Sequence, residues 1–203
     1  DVSRNGSAPD AGALEFNPTK SNDIAILSIN GLANPNCANN NEISVTVKNI
    51  GVNSIDSFAI RYWVNGMAIK TQYFMNPLAQ SASTNVSLGT YNFDGDNDSL
   101  TVTAISVDGV SDVDPSNNSQ SINGLYAPVT AGTYTFGEQD TLKGMKEFVQ
   151  KMSNGGICGP VVIKIKNGTY KHEIDFTFST VPGASATNTL TIESESGNRG
   201  DVL

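Results

Sequence analysis

Between residues 22 and 123 apolar and polar side chains alternate with a period of two, the repeat of a half-buried strand. Ile24, Ile26 and Ser28 fall on one face of a first segment and Ala25, Leu27 and Ile29 on the other, while Ile43, Val45 and Val47 mark the inward face of a second. Asn49-Ile50-Gly51-Val52-Asn53 reads as the turn after it. Phe58, Ile60, Tyr62 and Val64 then alternate with Ala59, Arg61 and Trp63. Asn65-Gly66 follows, a dipeptide suited to a two-residue type I′ hairpin because both central residues of that turn need positive φ. The chain returns over Met67 to Phe74, turns at Pro77-Leu78-Ala79-Gln80, and resumes as strands around Ser83 to Leu88, Leu100 to Val107 and Ser119 to Ile122. In the sixth of these, Leu100, Val102, Ala104 and Ser106 share one face, and Thr101, Thr103, Ile105 and Val107 the other. Seven short strands without a helical period predict a two-sheet sandwich over residues 22–124.

From about Pro128 the pattern changes. Gly132-Thr133-Tyr134-Thr135-Phe136 is a short strand, and Asp140 is placed to cap a helix whose Leu142, Met145, Val149 and Met152 share one face, with Phe148 beside it. Asn154-Gly155-Gly156 ends that helix. Three more strands follow, around Val161-Ile163-Ile165, Ile174-Phe176-Phe178 and Leu190-Ile192, separated by turns at Asn167-Gly168-Thr169 and Pro182-Gly183. No return element covers the last of them, so residues 128–203 read as an incomplete unit. Residues 1–20 are polar and turn-rich, too short for a domain.

Composition changes the picture by exclusion. The 203 residues carry 12 Lys and Arg against 20 Asp and Glu, a formal charge of −8, with no basic stripe for a nucleic acid or polyphosphate. No stretch approaches the roughly 18 to 20 apolar residues of a membrane helix. Polarity is carried by neutral groups instead, 23 Asn, 21 Ser, 17 Thr and 19 Gly, which favour pleated surfaces and turns over helices and point to an extracellular, mostly β chain. The single histidine, His172, leaves a zinc site or a Ser-His-Asp or Cys-His arrangement short of partners, and it reads as a half-exposed strand residue.

Particular runs resemble known families. Asp23-Ile24-Ala25-Ile26, Ile43-Ser44-Val45-Thr46-Val47-Lys48-Asn49-Ile50-Gly51, Tyr62-Trp63-Val64-Asn65-Gly66, Val107-Asp108 and Asp114-Pro115-Ser116-Asn117-Asn118 resemble the bacterial cell-adhesion-related domain (CARDB), which is immunoglobulin-like. Its "V-K-N-x-G" turn and "D-P-x-N-N" run are the most telling pieces, whereas Ser81 stands where the family's usual "L-A-x-G" turn has glycine. The runs Ala131 to Phe136, Gly155-Gly156-Ile157, Gly159 to Ile163, Asn167 to Tyr170 and Pro182 to Ile192 resemble the opening of a pectate-lyase-like right-handed parallel β-helix of large Bacteroidetes surface proteins. In such folds an amphipathic helix covers the open end of the first coil. Ala8 to Phe16 is similar to the last turn of a preceding β-helix. The resemblance therefore implies a seven-stranded immunoglobulin-like sandwich between partial β-helix segments, with one capping helix.

Several constellations carry candidate chemistry. Glu193 with Glu195, and Glu173 with Asp175, are i, i+2 carboxylate pairs, for which a solvated outer face is the simpler reading. The β-helix resemblance carries over no catalytic residue. Asp94, Asp96 and Asp98 alternate around a glycine like half of a calcium loop, and Asp108, Asp112 and Asp114 lie one strand later to supply further oxygens. Position 105 is Ile105 where an EF-hand would have its bidentate Glu, so a solvated Asx-rich turn competes with the Ca²⁺ reading. Trp63 and Tyr73 offer either a sugar-stacking face or a packing surface. Asp98-Ser99-Leu100 and Asp140-Thr141-Leu142 resemble the O-glycosylation signal of Bacteroidetes secreted proteins, which would place glycans on Ser99 and Thr141. In a sandwich the loop after the first strand shares a pole with the exit of the last, so Cys37 faces the following unit, where Cys158 lies just past the helix. An interdomain disulfide, worth about 4 to 5 kcal/mol in the chain-entropy model, and two unpaired small hydrophobes are the alternatives.

The sequence reading is a non-catalytic connector of a large, secreted, repeat-rich bacterial surface protein: an adhesin, stalk or filament exported by type IX secretion and displayed outside the outer membrane. Its partners would be neighbouring domains of the same chain and a surface glycan or protein. The alternative is part of a carbohydrate-binding or polysaccharide-degrading β-helix protein.

Overall fold

The computed structural model describes residues 20–38, 41–95, 97–137, 142–170 and 180–203. The predicted strand around Ile174 to Phe178, the Asp140 cap and the segment 1–19 lie outside them, as do His172, Glu173 and Asp175.

Seven strands make the first unit: β1 Ile24–Asn30, β2 Asn41–Asn49, β3 Phe58–Val64, β4 Met67–Phe74, β5 Ser83–Tyr91, β6 Asp98–Val107 and β7 Ser119–Leu125. They form two antiparallel sheets, β1-β2-β5 and β4-β3-β6-β7, the arrangement of an immunoglobulin-like sandwich. Ile24, Ile43, Val45, Val47, Ile60, Leu100 and Val102 are fully buried between them. Each such side chain contributes about 1.5–3 kcal/mol of hydrophobic stabilisation relative to exposure.

Two departures from simple alternation re-aim side chains. The β1–β2 register shifts between Ile26 and Ser28, so Leu27 bulges out, 49% exposed, and Ile29 rather than Ser28 turns toward the core. The β3–β6 register shifts between Ala59 and Ile60, and beyond this shift Val107 is fully buried where simple alternation places Ser106. A bulge adds one residue to one strand, which inverts the inward and outward assignment of everything after it. The Asn65-Gly66 hairpin has φ of 50° and 77°, the signs that its type I′ turn requires.

The second unit is built differently. β8 Gly132–Phe136, β9 Val161–Ile165 and β10 Leu190–Ser194 form a parallel sheet in the order β10-β9-β8. Gly132 pairs with Val161 and Val161 with Leu190, both steps of 29 residues, and the register holds to Phe136, Ile165 and Ser194. Helix α1, Leu142–Gly155, occupies the first connection and ends at Gly156, whose φ of 73° suits the turn out of a helix. Met145, Val149 and Met152 recur at helical spacing on its buried face, and Met152, Val149, Ile157, Val161 and Ile163 form one apolar cluster with Val129. Phe148 lies 4.5 Å from the Tyr134 ring and 5.3 Å from Phe136, anchoring α1 on β8. Among the described residues no helix is long and apolar enough to cross a membrane.

Candidate functional site

Chemistry-bearing residues gather at the two poles of the sandwich. At the pole away from the second unit, the two family-like motifs meet. Asn49 is fully buried; its Nδ2 donates to the Asn53 and Leu78 carbonyls at 2.8 Å each, and its Oδ1 accepts from Gly51 N at 3.0 Å. One side chain thus fastens three segments. Gly51 follows because a methyl there would come within 2.6 Å of the Ser21 carbonyl and 2.8 Å of Asp23 N.

The second motif closes the same pole. Asp114 caps the 3₁₀ turn Pro115–Asn117, accepting from Ser116 N at 3.1 Å, and pairs with the Lys20 ammonium. That ammonium also stands 3.5 Å from Oδ2 of the fully buried Asp23, the one buried side-chain oxygen among the described residues without a hydrogen bond. Asp23 Oδ1 accepts from Asn117 at 2.9 Å. Asp112 accepts from Ile24 N and from Asp114 N, both at 2.7 Å. Lys20 holds Asp114 well below its ordinary range, at about 2, and Asp114 in turn raises the Lys20 ammonium. Burial pushes Asp112 up, against the two backbone hydrogen bonds that favour its charged form. The arrangement is a polar lock on the entering chain.

The acidic loops expected to converge on a cation are separated by β6. Asp98 opens that strand and Asp108 follows its end, roughly 30 Å away at strand rise. Asp108 accepts from Asp56 N and Ser57 N at 2.9 and 2.8 Å, bracketing the β2–β3 connection. Asp98 is buried and spends its oxygens on Asn65 Nδ2 at 2.7 Å and Gly95 N at 3.1 Å, tying the hairpin to the β5–β6 loop. Asp94 is exposed and Asp96 lies outside the described residues. Among the described residues no group of three or more His, Cys, Asp or Glu is arranged to hold a metal ion. Ser99 N donates to Asn65 Oδ1 at 2.9 Å and the residue is half-buried; Thr141 lies outside the described residues.

Outward on β3, Trp63 carries the Arg61 guanidinium 5.9 Å from its ring centroid, and Arg61 is fixed to Thr71 at 2.8 Å. Tyr73 on β4 is 74% exposed. Glu193 lies 3.5 Å from Lys164 across the parallel sheet, and Glu195 is exposed.

The other pole is the junction. Cys37, on the β1–β2 connection, is disulfide-bonded to Cys158, between α1 and β9, with Cα atoms 5.4 Å apart. Beside it Pro35 lies on two glycines of the second unit: a methyl on Gly156 would come within 2.9 Å of its ring, and one on Gly183 within 2.5 Å. Ala127 N donates to the Gly95 carbonyl at 2.9 Å, and Asn34 Nδ2 to the Asn154 carbonyl at 3.4 Å. Pro35 and its glycine seat were not singled out from the sequence; the only signal is an Asn-Pro-Asn-Cys run beside a cysteine.

No curated protein matches the chain. Among solved structures it is similar to the CARDB domain of a Pyrococcus furiosus protein in complex with di-metal ions, at 18% identity and a TM-score of 0.41 over 51% of this chain and 92% of that one. A solution structure of the same domain gives 19%, 0.40, 51% and 94%. A domain of a Methanosarcina acetivorans protein named for the cell surface is 26% identical, with a TM-score of 0.42 over 51% of this chain and 90% of that one. Residues 21–122 match the CARDB family, half of the chain and the whole span of the sandwich up to its last strand. The chain belongs to the CARDB family, a cell-surface-associated, adhesion-related group with an immunoglobulin-like fold.

Proposed function

We propose that the chain is a non-catalytic connector in a large, secreted, repeat-rich bacterial surface protein, an adhesin, stalk or filament, in which it holds successive units at a set angle. The observation that carries this reading is the junction: a covalent bond, a proline seated on two glycines and the Asn34–Asn154 hydrogen bond all cross between the sandwich and the second unit. A flexible linker would need none of them, and relative motion of domains is the default where the interface is small.

The in-register parallel ladder with its 29-residue step supports reading residues 128–203 as the cap and first coils of a right-handed parallel β-helix, with α1 over the open end of the interior. Residues 1–20 would then close a preceding unit. A disulfide suits an oxidising compartment, which supports display outside the outer membrane, and type IX export in a Bacteroidetes host belongs to the same reading. Its partners are the neighbouring domains and a surface glycan or protein. Four acidic side chains serve the fold: Asp98, Asp108 and Asp114 bracket turns, and Glu193 faces Lys164.

Spin labels on one exposed site in each unit test the joint by pulsed dipolar distance measurement. A single narrow distribution in the oxidised chain is expected, and a distribution as broad as that of the Cys37→Ser, Cys158→Ser variant overturns the connector reading.

A further inference from the structure

A cleft of about 590 Å³ lies at the junction, lined by residues of both units. Asn97 comes from the sandwich, Tyr126 from the segment leaving it, and the remaining wall from α1 and Phe136. The helix contributes a second stripe beside its buried face: Gly144, Glu147, Lys151 and Asn154 follow one another at three- and four-residue steps, with Phe148 at the border between this stripe and the core. Met145, Val149 and Met152 turn to the core and Phe148 packs on Tyr134 and Phe136, so the apolar hold on the helix comes from these residues.

Gly144 is the informative position. It lies inside a helix, where glycine is a poor choice on backbone entropy, and its φ is not in the left-handed region that would call for glycine. A methyl there would meet nothing within 4 Å, so packing does not demand its absence either. Gly144 lines the cleft, and its missing side chain leaves that space open.

The lining selects a ligand class. Tyr126 and Phe148 supply aromatic surface, and Asn97, Gln150 and Asn154 supply uncharged groups that both donate and accept hydrogen bonds. Glu147 and Lys151 carry opposite charges one helical turn apart, so the described lining carries no net charge with which to attract an anion or a cation. A cleft lined by aromatic and amide side chains fits a neutral sugar chain, whose rings have apolar faces and whose rims are hydroxyls. We propose that the cleft between the sandwich and α1 binds a short neutral segment of a glycan. The site rests on the fixed junction of the connector reading, because Asn97 and α1 belong to different units.

The test is a ¹⁵N-NMR titration of the oxidised chain with cellohexaose, xylohexaose, mannohexaose and chitohexaose, alongside a pool of neutral hexapeptides. At least one oligosaccharide is expected to shift the amides of Asn97, Tyr126 and residues 144–154. Gly144→Leu should weaken that binding at least about tenfold while leaving thermal stability equal or raised, since leucine is the better helix former. Tyr126→Ala should weaken it comparably. No shift with any oligosaccharide at millimolar concentration, shifts mapping elsewhere, full binding by Gly144→Leu, or shifts with the peptides alone would each overturn the proposal. Narrow interdomain distances with no glycan shifts remove the cleft and leave the connector standing. Broad distances in the oxidised chain remove the connector itself.

Discussion

Ser81 is held at a φ of 65°, in the left-handed region that an L side chain enters at a cost. Its N–H donates to the Asn49 carbonyl at 2.9 Å, so the turn geometry is imposed by the buried asparagine bracket rather than by local preference. Ser81→Gly is therefore expected to raise stability by about 1 kcal/mol, read as a shift in the urea midpoint at unchanged slope; a destabilised variant would mean that the serine hydroxyl matters more than the backbone. At the same pole the charges set an acid dependence. Asp114 titrates at about 2, below its ordinary 3.8, so the stability it contributes is complete above about pH 4 and is lost as pH falls toward its folded value. Asp112 has the opposite sign: burial raises it, so its penalty is present above that raised value and disappears as pH falls through it. Asp114→Asn should remove the Lys20 pair and, because the Asp114 charge adds to the burial that raises Asp112, lessen the Asp112 penalty as well. The stability difference between the parent chain and the variant should then shrink between about pH 4 and pH 2 in urea titrations, and a constant difference would exclude the Lys20–Asp114 pair as its source.

At the scale of elements, turns that are fixed by backbone chemistry are the ones a sequence displays. Gly51 is the sharpest case, because the chain entering β1 passes over it; Gly51→Ala should cost more than about 2 kcal/mol, since the methyl would overlap two backbone atoms that cannot move apart without opening β1 from β2. A loss under about 0.5 kcal/mol, the range of an ordinary surface change, would show that the entry strand is not held there. The same logic explains which parts of the fold were legible. Period-two alternation found every strand of the sandwich, and Asn65-Gly66 displayed its hairpin, because each signal is local. The bulges beside Leu27 and Ile105 were not legible, since an extra residue leaves no mark on composition and its effect, exchanging Ser28 for Ile29 and Ser106 for Val107 at the core, depends on the partner strand. The placement of the acidic loops was hidden for the same reason. Asp94, Asp98, Asp108 and Asp114 look alike as acidic loops, yet β6 separates two groups of them, and Asp98, Asp108 and Asp114 are each engaged by a nearby backbone or amide group while Asp94 is exposed.

At the scale of the whole molecule, the junction decides whether the chain behaves as two bodies or one. The Cys37–Cys158 bond closes a loop over a separation of 121 residues, spanning nearly all of the sandwich and the first connection of the parallel sheet. In the chain-entropy model such a closure contributes about 4 to 5 kcal/mol. Among the described residues the sandwich has its own core of eighteen buried side chains and the second cluster six, and the smaller unit is expected to depend more on being held. Calorimetry of the oxidised chain is therefore expected to give one cooperative transition, and the Cys37→Ser, Cys158→Ser variant two, with the parallel unit melting first and the sandwich close to its original temperature. Gly183→Ala separates seating from cross-linking: the bond remains, but a methyl would meet the Pro35 ring at 2.5 Å and the Ile157 carbonyl beside it. If the proline seat transmits order between the units, this variant should also split the transition while Ellman titration still finds no free thiol. A single transition in the double-serine variant would mean that α1 and the short parallel sheet hold the second unit without help from the sandwich, and the disulfide would then act on orientation alone.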